Sequence, residues 1–347
     1  MKILGIESSC DDTSVAIVNS KKQILSNERI SQDEIHESYQ GVVPELAARN
    51  HVFQIDRMAK KAFKMSGLSL NNIDIIAATA GPGLIGGLLV GLSFAKTLAQ
   101  VKKLPFIAVN HLEGHVLTAR LVSEIKFPYL VLLISGGHSN FYFLKNINDY
   151  AFMGGTLDDA VGEAFDKVGK ALGLKFPGGP EVEQKALKGN EKAFIFPKPL
   201  LRKADTDLNL SFSGLKSHII KLVKNNKSNL LSENFIEDIC ASFQKTISDI
   251  LINKLERAIK YSNTKFPAYE SVVVAGGVAS NAYLRKNFIE TITNSNKKPY
   301  IPPANLCTDN GAMIAWAGYE RFKLGFESSL NFKALPRWPL EKGNFYE

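Results

Sequence analysis

Cysteine is scarce in this sequence. The chain of 347 residues contains only Cys10, Cys240 and Cys307, and no two of them form a Cys-x-x-Cys pair. Disulfide frameworks use an even number of cysteines, and structural zinc sites of the cysteine-rich type use closely spaced pairs. The sequence therefore argues against both kinds of site and predicts reduced thiols in a reducing compartment.

Long hydrophobic runs are also lacking. The first residues reach the charged Glu7 after a short apolar stretch, which leaves no core of signal-peptide length. Residues 75–95 carry no charge, but five glycines and Pro82 divide this run into a strand, a turn and a helix. The sequence therefore predicts a cytoplasmic protein with no membrane partner.

Basic residues outnumber acidic ones. The chain has 42 Lys and Arg against 34 Asp and Glu, a formal net charge of +8. This balance favours a polyanionic partner such as RNA, bound through neutralisation of its phosphates. A loop at residues 198–203 and the Lys-rich middle of the chain are candidate contacts. Many of these lysines stand among asparagines, so solvated loops explain the charge equally well.

The order of predicted elements repeats once along the chain. Strands at residues 2–7 and 14–18 form a hairpin, followed by a helix at 44–64, a strand at 73–79, a helix at 86–102 and a strand at 106–109. The plan restarts with a hairpin at 129–144, a helix at 158–172, a long helix at about 234–261, a strand at 271–275 and a last helix at 311–323. We therefore predict a duplicated α/β protein with two lobes, residues 1–125 and 126–347, and a helical insertion at about 156–265.

Two histidines stand four residues apart in His111-Leu112-Glu113-Gly114-His115. If a helix begins there, both imidazoles lie on one face and can bind one cation, with a carboxylate as third ligand. Asp309 is the candidate for that ligand. The spacing alone is explained equally well by a pair of histidines that packs inside the protein or lies on the surface of a helix.

Glycine-rich turns follow two predicted buried strands, at Ser135-Gly136-Gly137 and Gly276-Gly277. Backbone amides in such turns can approach phosphate oxygens, although no Gly-x-x-x-x-Gly-Lys-Ser/Thr motif occurs. Asp166 and Glu183 are candidates to bond a ribose, and Asn281 is a candidate to contact a purine. A solvated helix carboxylate, a surface glutamate and a helix N-cap are the respective structural alternatives. The paired turns resemble the nucleotide cleft of the actin, Hsp70 and sugar-kinase superfamily.

Motifs along nearly the whole chain resemble the bacterial TsaD family, also called Gcp or YgjD. They include the histidine motif and Cys307-Thr308-Asp309-Asn310-Gly311-Ala312. The others lie at residues 5–12, 41–47, 80–84, 135–138, 162–167, 212–216, 275–278 and 336–340.

The resemblance implies transfer of a threonylcarbamoyl group from threonylcarbamoyl-AMP to the N6 amine of the adenosine next to the anticodon, position 37, in tRNAs that read ANN codons. It implies a divalent metal, Fe²⁺ with Zn²⁺ as the alternative, on His111, His115 and Asp309. It assigns the adenylate contacts to Leu133, Ile134, Ser135, Gly136, Gly137, Asp166, Gly179, Glu183 and Asn281. Many relatives have Asp where this chain has Glu183. Asp11, in the first hairpin tip, is our candidate for a catalytic residue.

Three alternatives are weighed against the transferase. A zincin peptidase needs His-Glu-x-x-His, but Leu112 follows the first histidine here. A sugar kinase or chaperone-like ATPase would not need two histidines and Asp309 to converge. A scaffold without activity would need neither the ligands nor the glycine turns.

The resemblance also implies partner proteins. It predicts a TsaB-like paralogue bound through the helices at about 44–64 and 86–100, and a TsaE-like ATPase. The small residues of the second helix fit equally well against the chain's own sheet.

Overall fold

The computed structural model describes residues 1–39, 41–201, 208–226 and 231–342. Its strands are β1 Lys2–Glu7, β2 Thr13–Asn19, β3 Ile24–Ile30, β4 Ile75–Gly81, β5 Phe106–Asn110, β6 Tyr129–Ile134, β7 Ser139–Asn146, β8 Asp149–Gly155, β9 Ser271–Ala275 and β10 Lys298–Tyr300. Its helices are α1 Asp33–Glu37, α2 Pro44–Ser66, α3 Ile85–Lys102, α4 His111–Val122, α5 Val161–Ala171, α6 Gly178–Ala186, α7 Ser213–Asn225, α8 Glu233–Lys265, α9 Ala282–Asn294, α10 Ala304–Cys307 and α11 Gly311–Lys323.

The chain divides into two compact units that both contain non-contiguous segments. Unit 1 comprises Met1–Ile125, Asn146–Tyr150 and Thr308–Glu347, and unit 2 comprises Lys126–Lys145 and Ala151–Cys307. The sequence-based division placed everything after residue 126 in one lobe. Helix α11 lies in unit 1 because it packs on β1, where Gly5 leaves room for the backbone of Gly311 and Ala315.

The sheet of unit 1 has the strand order β3-β2-β1-β4-β5. Strand β1 pairs antiparallel with β2 and parallel with β4, which pairs parallel with β5. The strands β1, β4 and β5 are buried along almost their whole length, as parallel strands covered on both faces must be. Helices α2 and α3 pack together beside this sheet and contribute Ile55, Met58 and Leu92 to its core.

The sheet of unit 2 has the strand order β10-β9-β6-β7-β8. Strand β6 pairs antiparallel with β7 and parallel with β9, and β9 pairs parallel with β10. The first hairpin, the central strand and the two parallel neighbours thus repeat the connectivity of unit 1. The duplication that the element order predicts is confirmed.

One local prediction for unit 2 needs correction, the start of its first helix. Helix α5 begins at Val161 instead of residue 158, because Asp158 accepts hydrogen bonds from the backbone N–H groups of Phe212 (2.8 Å) and Ser213 (3.2 Å). Helix α6 begins at Gly178, with Pro177 as its N-cap.

Within the described ranges, no helix is both long and apolar enough to cross a membrane. The candidate RNA contact at residues 198–203 lies partly outside the described residues, from residue 202 onward.

Candidate active site

Helix α4 begins directly after strand β5 and presents the histidine pair. Asn110, the last residue of β5, caps the helix because its Oδ1 accepts a hydrogen bond from Leu112 N at 2.9 Å. His115 Nε2 lies 3.0 Å from Asp309 Oδ1, and His111 Nε2 lies 3.6 Å from the same oxygen. The structure thus brings the three predicted ligands together in unit 1, with their ligand atoms within 4.8 Å of one another.

Glu7, at the end of β1, fixes the orientation of the His111 ring. Its Oε2 lies 3.1 Å from His111 Nδ1, and Ser9 Oγ is also 3.1 Å from that nitrogen. A carboxylate can only accept a hydrogen bond, so Nδ1 carries a proton, and loss of the proton from Nε2 would give a lone pair on the Asp309 side of the ring. A carboxylate behind a metal-binding histidine commonly sets the tautomer in this way.

The electrostatics of the cluster favour a positive charge at its centre. Burial raises the pKa of Asp309, but His111 and His115 outweigh it and hold that pKa below its ordinary value. Burial lowers the pKa of His111, but Asp309 and Glu7 outweigh it and raise the pKa to about 9. Two imidazoles and a carboxylate with ligand atoms within 4.8 Å of one another are a donor set that fits a divalent transition metal.

The tip of the β1–β2 hairpin adds further carboxylates near the cluster. Burial raises the pKa of Asp11, and the Asp309 charge adds to that effect. Asp12 forms an ion pair with Arg29 at 2.8 Å, yet burial still raises its pKa to about 8. Arg29 also donates to Thr308 Oγ1 at 2.9 Å, next to the predicted ligand Asp309.

Glu113 lies on α4 between the two histidines but bonds elsewhere. It is fully buried and pairs with Arg321 Nη1 at 2.9 Å, and it accepts a hydrogen bond from the Tyr150 hydroxyl at 2.6 Å. The Glu113 carboxylate is therefore bonded away from the histidine cluster. This geometry speaks against a peptidase in which Glu113 would act as the general base.

The predicted adenylate contacts of β6 and its turn lie in unit 2. Leu133 and Ile134 are fully buried in β6, and Ser135 N donates to His138 O at 2.7 Å to close the turn. A Cβ on Gly136 or Gly137 would meet no atom within 4 Å, so the two glycines border open space.

The second glycine turn packs against the end of β6. Gly276 has φ +94°, and a Cβ there would lie 2.3 Å from Ile134 O. This position accepts only glycine, because a side chain at this φ would strain the backbone and would clash with the Ile134 carbonyl oxygen.

The remaining predicted contacts are linked by hydrogen bonds at helix starts. Asp166 Oδ1 accepts from Gly178 N at 2.8 Å, one residue before Gly179 at the start of α6. Glu183 Oε1 accepts from Ala282 N at 2.6 Å, beside Asn281. These two hydrogen bonds link α5 to the start of α6, and α6 to the start of α9, within unit 2.

Asn281 is buried and already bonded at both ends of its side chain. Its Oδ1 caps α9 by accepting from Leu284 N at 3.0 Å, and its Nδ2 donates to Gln244 Oε1 at 2.8 Å. The N-cap alternative raised from the sequence is therefore realised.

Sequence reasoning missed Glu7, Ser9, Asp12 and Arg29 as parts of the metal-site surroundings. A usable signal existed for Glu7, since a charged residue directly after the apolar run of β1 is buried at high cost unless it has partners. Arg29 gave no signal, because its partners are distant in sequence.

Comparison with known proteins agrees with these features. The family model for TsaD, tRNA N6-adenosine threonylcarbamoyltransferase, matches residues 23–316. A relative of that name from Brucella suis is 50% identical over 350 aligned positions, which cover 99% of this chain and 96% of the relative. One from Rickettsia bellii is 50% identical over 346 positions, covering 98% and 99%.

Solved structures with low sequence identity share the fold. HypF from T. kodakarensis aligns with a TM-score of 0.59 at 13% identity, over 93% of this chain and 48% of HypF. Component A of the Acidaminococcus fermentans (R)-2-hydroxyglutaryl-CoA dehydratase aligns with a TM-score of 0.52 at 14% identity, over 92% and 98%. The fold is thus the duplicated actin/Hsp70/sugar-kinase-like fold. The family match over most of its length shows that the chain belongs to the TsaD family of tRNA N6-adenosine threonylcarbamoyltransferases, which are acyltransferases acting on tRNA.

Proposed function

We propose that this enzyme uses threonylcarbamoyl-AMP as its donor and modifies adenosine 37 of tRNAs that read ANN codons, with help from a divalent metal. The observation that carries this proposal is the buried cluster of His111, His115 and Asp309, backed by Glu7. The adenine amine is a weak nucleophile because its lone pair is delocalised into the ring. Transfer therefore depends on positioning and on charge stabilisation around the acyl group.

His111, His115 and Asp309 would hold the metal, for which we propose Fe²⁺, with Zn²⁺ as the alternative. The donor set of two imidazoles and one carboxylate suits both ions. When bound, the metal supplies a Lewis acid that can polarise an oxygen of the carbamate or phosphate. Glu7 and Ser9 keep the His111 ring turned toward Asp309, and the carboxylate of Asp309 keeps part of its surface accessible.

The turns of unit 2 would bind the adenylate. Residues 133–137 would contact the adenylate, and the amides of Gly136 and Gly137 can donate to its phosphate because both glycines border open space. Asp166 and Glu183 would bond the ribose, with Gly179 and Asn281 lining the nucleoside. The hydrogen bond from Ala282 N holds the Glu183 carboxylate in place, which supports this role for the longer side chain.

The transfer step balances without a redox partner. The N6 amine attacks the acyl carbon, the bond from that carbon to the phosphate oxygen breaks, and AMP departs with the electron pair. The amine must then lose a proton. We propose that Asp11 accepts it, because burial raises the pKa of this carboxyl and makes it a better base than an exposed aspartate.

Partner binding is proposed for the surface between α2 and α3. An apolar groove of about 530 Å³ lies there, lined by Val52, Leu89 and Phe94 among others. Val52 is 59% exposed and Leu89 is 51% exposed, which is unusual for side chains of this kind on two adjacent helices. We propose that a TsaB-like paralogue covers this groove and that a TsaE-like ATPase joins the complex, in the cytoplasm where the tRNA is found.

The test is transfer of labelled threonylcarbamate from its adenylate to an unmodified tRNA transcript, with and without the partner proteins. We expect wild type with partners to modify the tRNA, and His111→Ala and Asp309→Ala to lose both modification and bound metal. The exposed Glu290→Ala serves as the control and should behave as wild type. Folded, metal-loaded wild type that transfers nothing would contradict the donor assignment, and full turnover without partners would contradict the partner requirement.

A further inference from the structure

The excess positive charge of this chain falls entirely in unit 2. Unit 1 contains 18 Lys and Arg and 18 Asp and Glu, whereas unit 2 contains 24 Lys and Arg and 16 Asp and Glu. The formal net charge of +8 is therefore the charge of unit 2 alone. A polyanionic substrate such as tRNA would be attracted to this unit first.

Within unit 2, two stretches carry lysine without any acidic residue. Residues 167–180, from the second half of α5 to the start of α6, include Lys167, Lys170 and Lys175. Residues 208–232, which include α7, contain four lysines. The helices α5 and α7 pack against each other, with Val168 of α5 and Ile219 of α7 in the same hydrophobic core.

A shared carboxylate shows that the basic sides of these helices adjoin. Lys167 Nζ lies 3.1 Å from Asp159 Oδ1, and Lys216 of α7 pairs with the other oxygen of Asp159. One aspartate thus offsets part of the charge where the helices meet. Farther along α5, the nearest acidic residue to Lys170 is Asp166, one helical turn earlier, and α7 contains no acidic residue.

Four lysines on this surface are exposed and make no ion pair with any described residue: Lys170, Lys175, Lys221 and Lys224. On α7, Leu215 and Ile219 face the core while Lys221 and Lys224 face outward. Some other basic residues of the unit are already engaged, as with Lys198, which pairs with Asp249 at 2.7 Å. We call helices α5 and α7, together with the four exposed lysines, the α5–α7 face; Lys175 lies in the connection that follows α5.

We propose that the α5–α7 face binds the phosphate backbone of the tRNA substrate. Lysine ammonium groups act as point charges that suit phosphates and carry no base specificity. Lysines without ion pairs can contact phosphates without first breaking a salt bridge, and the released counterions drive binding. Asp166 lies on the same helix α5, one residue before Lys167, so the face begins beside a proposed adenylate contact.

The inference rests on tRNA being the substrate, and the test separates it from the chemistry at the metal. Binding of labelled tRNA to the chain, with the partner proteins present, is measured by fluorescence anisotropy across a salt series. The variant is Lys221→Gln/Lys224→Gln, and the matched control is Lys323→Gln/Lys333→Gln, which removes two exposed lysines from unit 1. A second variant, Lys170→Gln/Lys175→Gln, probes the α5 side.

We expect each unit 2 double variant to weaken tRNA binding about tenfold at moderate salt, and to reduce the slope of log K against log salt by about 2. The loss of affinity should be equal for tRNAs that read ANN codons and for tRNAs that do not, because phosphate contacts carry no sequence information. Binding of the adenylate donor should remain at the wild-type level. Salt slopes equal to that of the control double variant would overturn the proposal while leaving the transferase assignment intact.

Failure of the wild-type protein to bind any tRNA would overturn both the face and the proposed function. A loss in the variants that is matched by the unit 1 control would show a general charge effect, and it would also overturn the assignment to this face.

Discussion

Replacement of Glu7 by glutamine tests how the protein prepares His111 for a metal. The Glu7 carboxylate is fully buried and accepts hydrogen bonds from Ser9 N at 2.6 Å, from the Thr79 hydroxyl, and from His111 Nδ1 at 3.1 Å. Glutamine has the same shape but offers only one oxygen. If that oxygen stays with Ser9 N, its amide nitrogen faces His111 Nδ1 and donates to it.

The tautomer of His111 then reverses. Nδ1 must accept, so the proton moves to Nε2, the nitrogen that lies 3.6 Å from Asp309 Oδ1 and would otherwise offer its lone pair. A protonated Nε2 cannot ligate a cation. Loss of such an outer partner commonly lowers metal affinity by about 10- to 100-fold, and we expect Glu7→Gln to fall in that range.

The assay is a competition between the folded protein and a chelator for Fe²⁺ or Zn²⁺, with circular dichroism to verify folding. Glu320→Gln is the control, since Glu320 is also a buried glutamate of unit 1 but pairs with Arg120 at 2.9 Å. Metal affinity of Glu7→Gln equal to that of wild type would refute the tautomer argument. A decrease shared by Glu320→Gln would assign the effect to general destabilisation.

Two further predictions concern stability. Arg321→Met leaves the fully buried Glu113 without its cation, and we expect the free energy of unfolding, measured in urea, to decrease by about 3–5 kcal/mol. The double variant Glu113→Gln/Arg321→Met should recover much of this loss, because it removes the unpaired charge. Asp158 lies at the surface and is only partly desolvated. Desolvation raises the pKa of its carboxyl, but hydrogen bonds from Ser211, Phe212 and Ser213 outweigh this effect and lower the pKa to about 2. The contribution of Asp158 to the free energy of unfolding is therefore present above pH 4 and lost as the pH falls through about 2. We expect the urea midpoint of Asp158→Asn to decrease less over that pH interval than the midpoint of wild type. A decrease equal to that of wild type would contradict the assignment.

Much of the fold follows from local patterns that the sequence displays directly. The final helix is predicted at residues 311–323 and observed at Gly311–Lys323, because Asn310 caps it and its apolar residues recur at helical spacing. The start of α5 was predicted three residues early. Two aspartates at that point bond to α7, which lies some fifty residues later, and no local pattern reports such a contact.

The candidate site was predictable where residue type and short spacing define it. His111 and His115 are neighbours on one helix, and their convergence with Asp309 was expected from the family motifs. Glu7 and Arg29 were missed because their roles depend on the sheet, which brings β1 and β3 to the same edge as residue 309. The division of the chain was also beyond local reasoning, since α11 returns to unit 1 through packing on β1.

The duplicated topology explains how one fold provides two different kinds of binding chemistry. In unit 1 the first hairpin ends in Glu7, Asp11 and Asp12, whereas the corresponding hairpin of unit 2 ends in Ser135, Gly136 and Gly137. Carboxylates and imidazoles attract a cation, and exposed turn amides attract an anion. The net charges follow the same division, since unit 1 is balanced and unit 2 carries the whole excess of +8. The same strand order would thus support the proposed metal site in one copy and the proposed phosphate sites in the other, because the hairpin tips and outer helices that carry these residues are not constrained by the sheet itself.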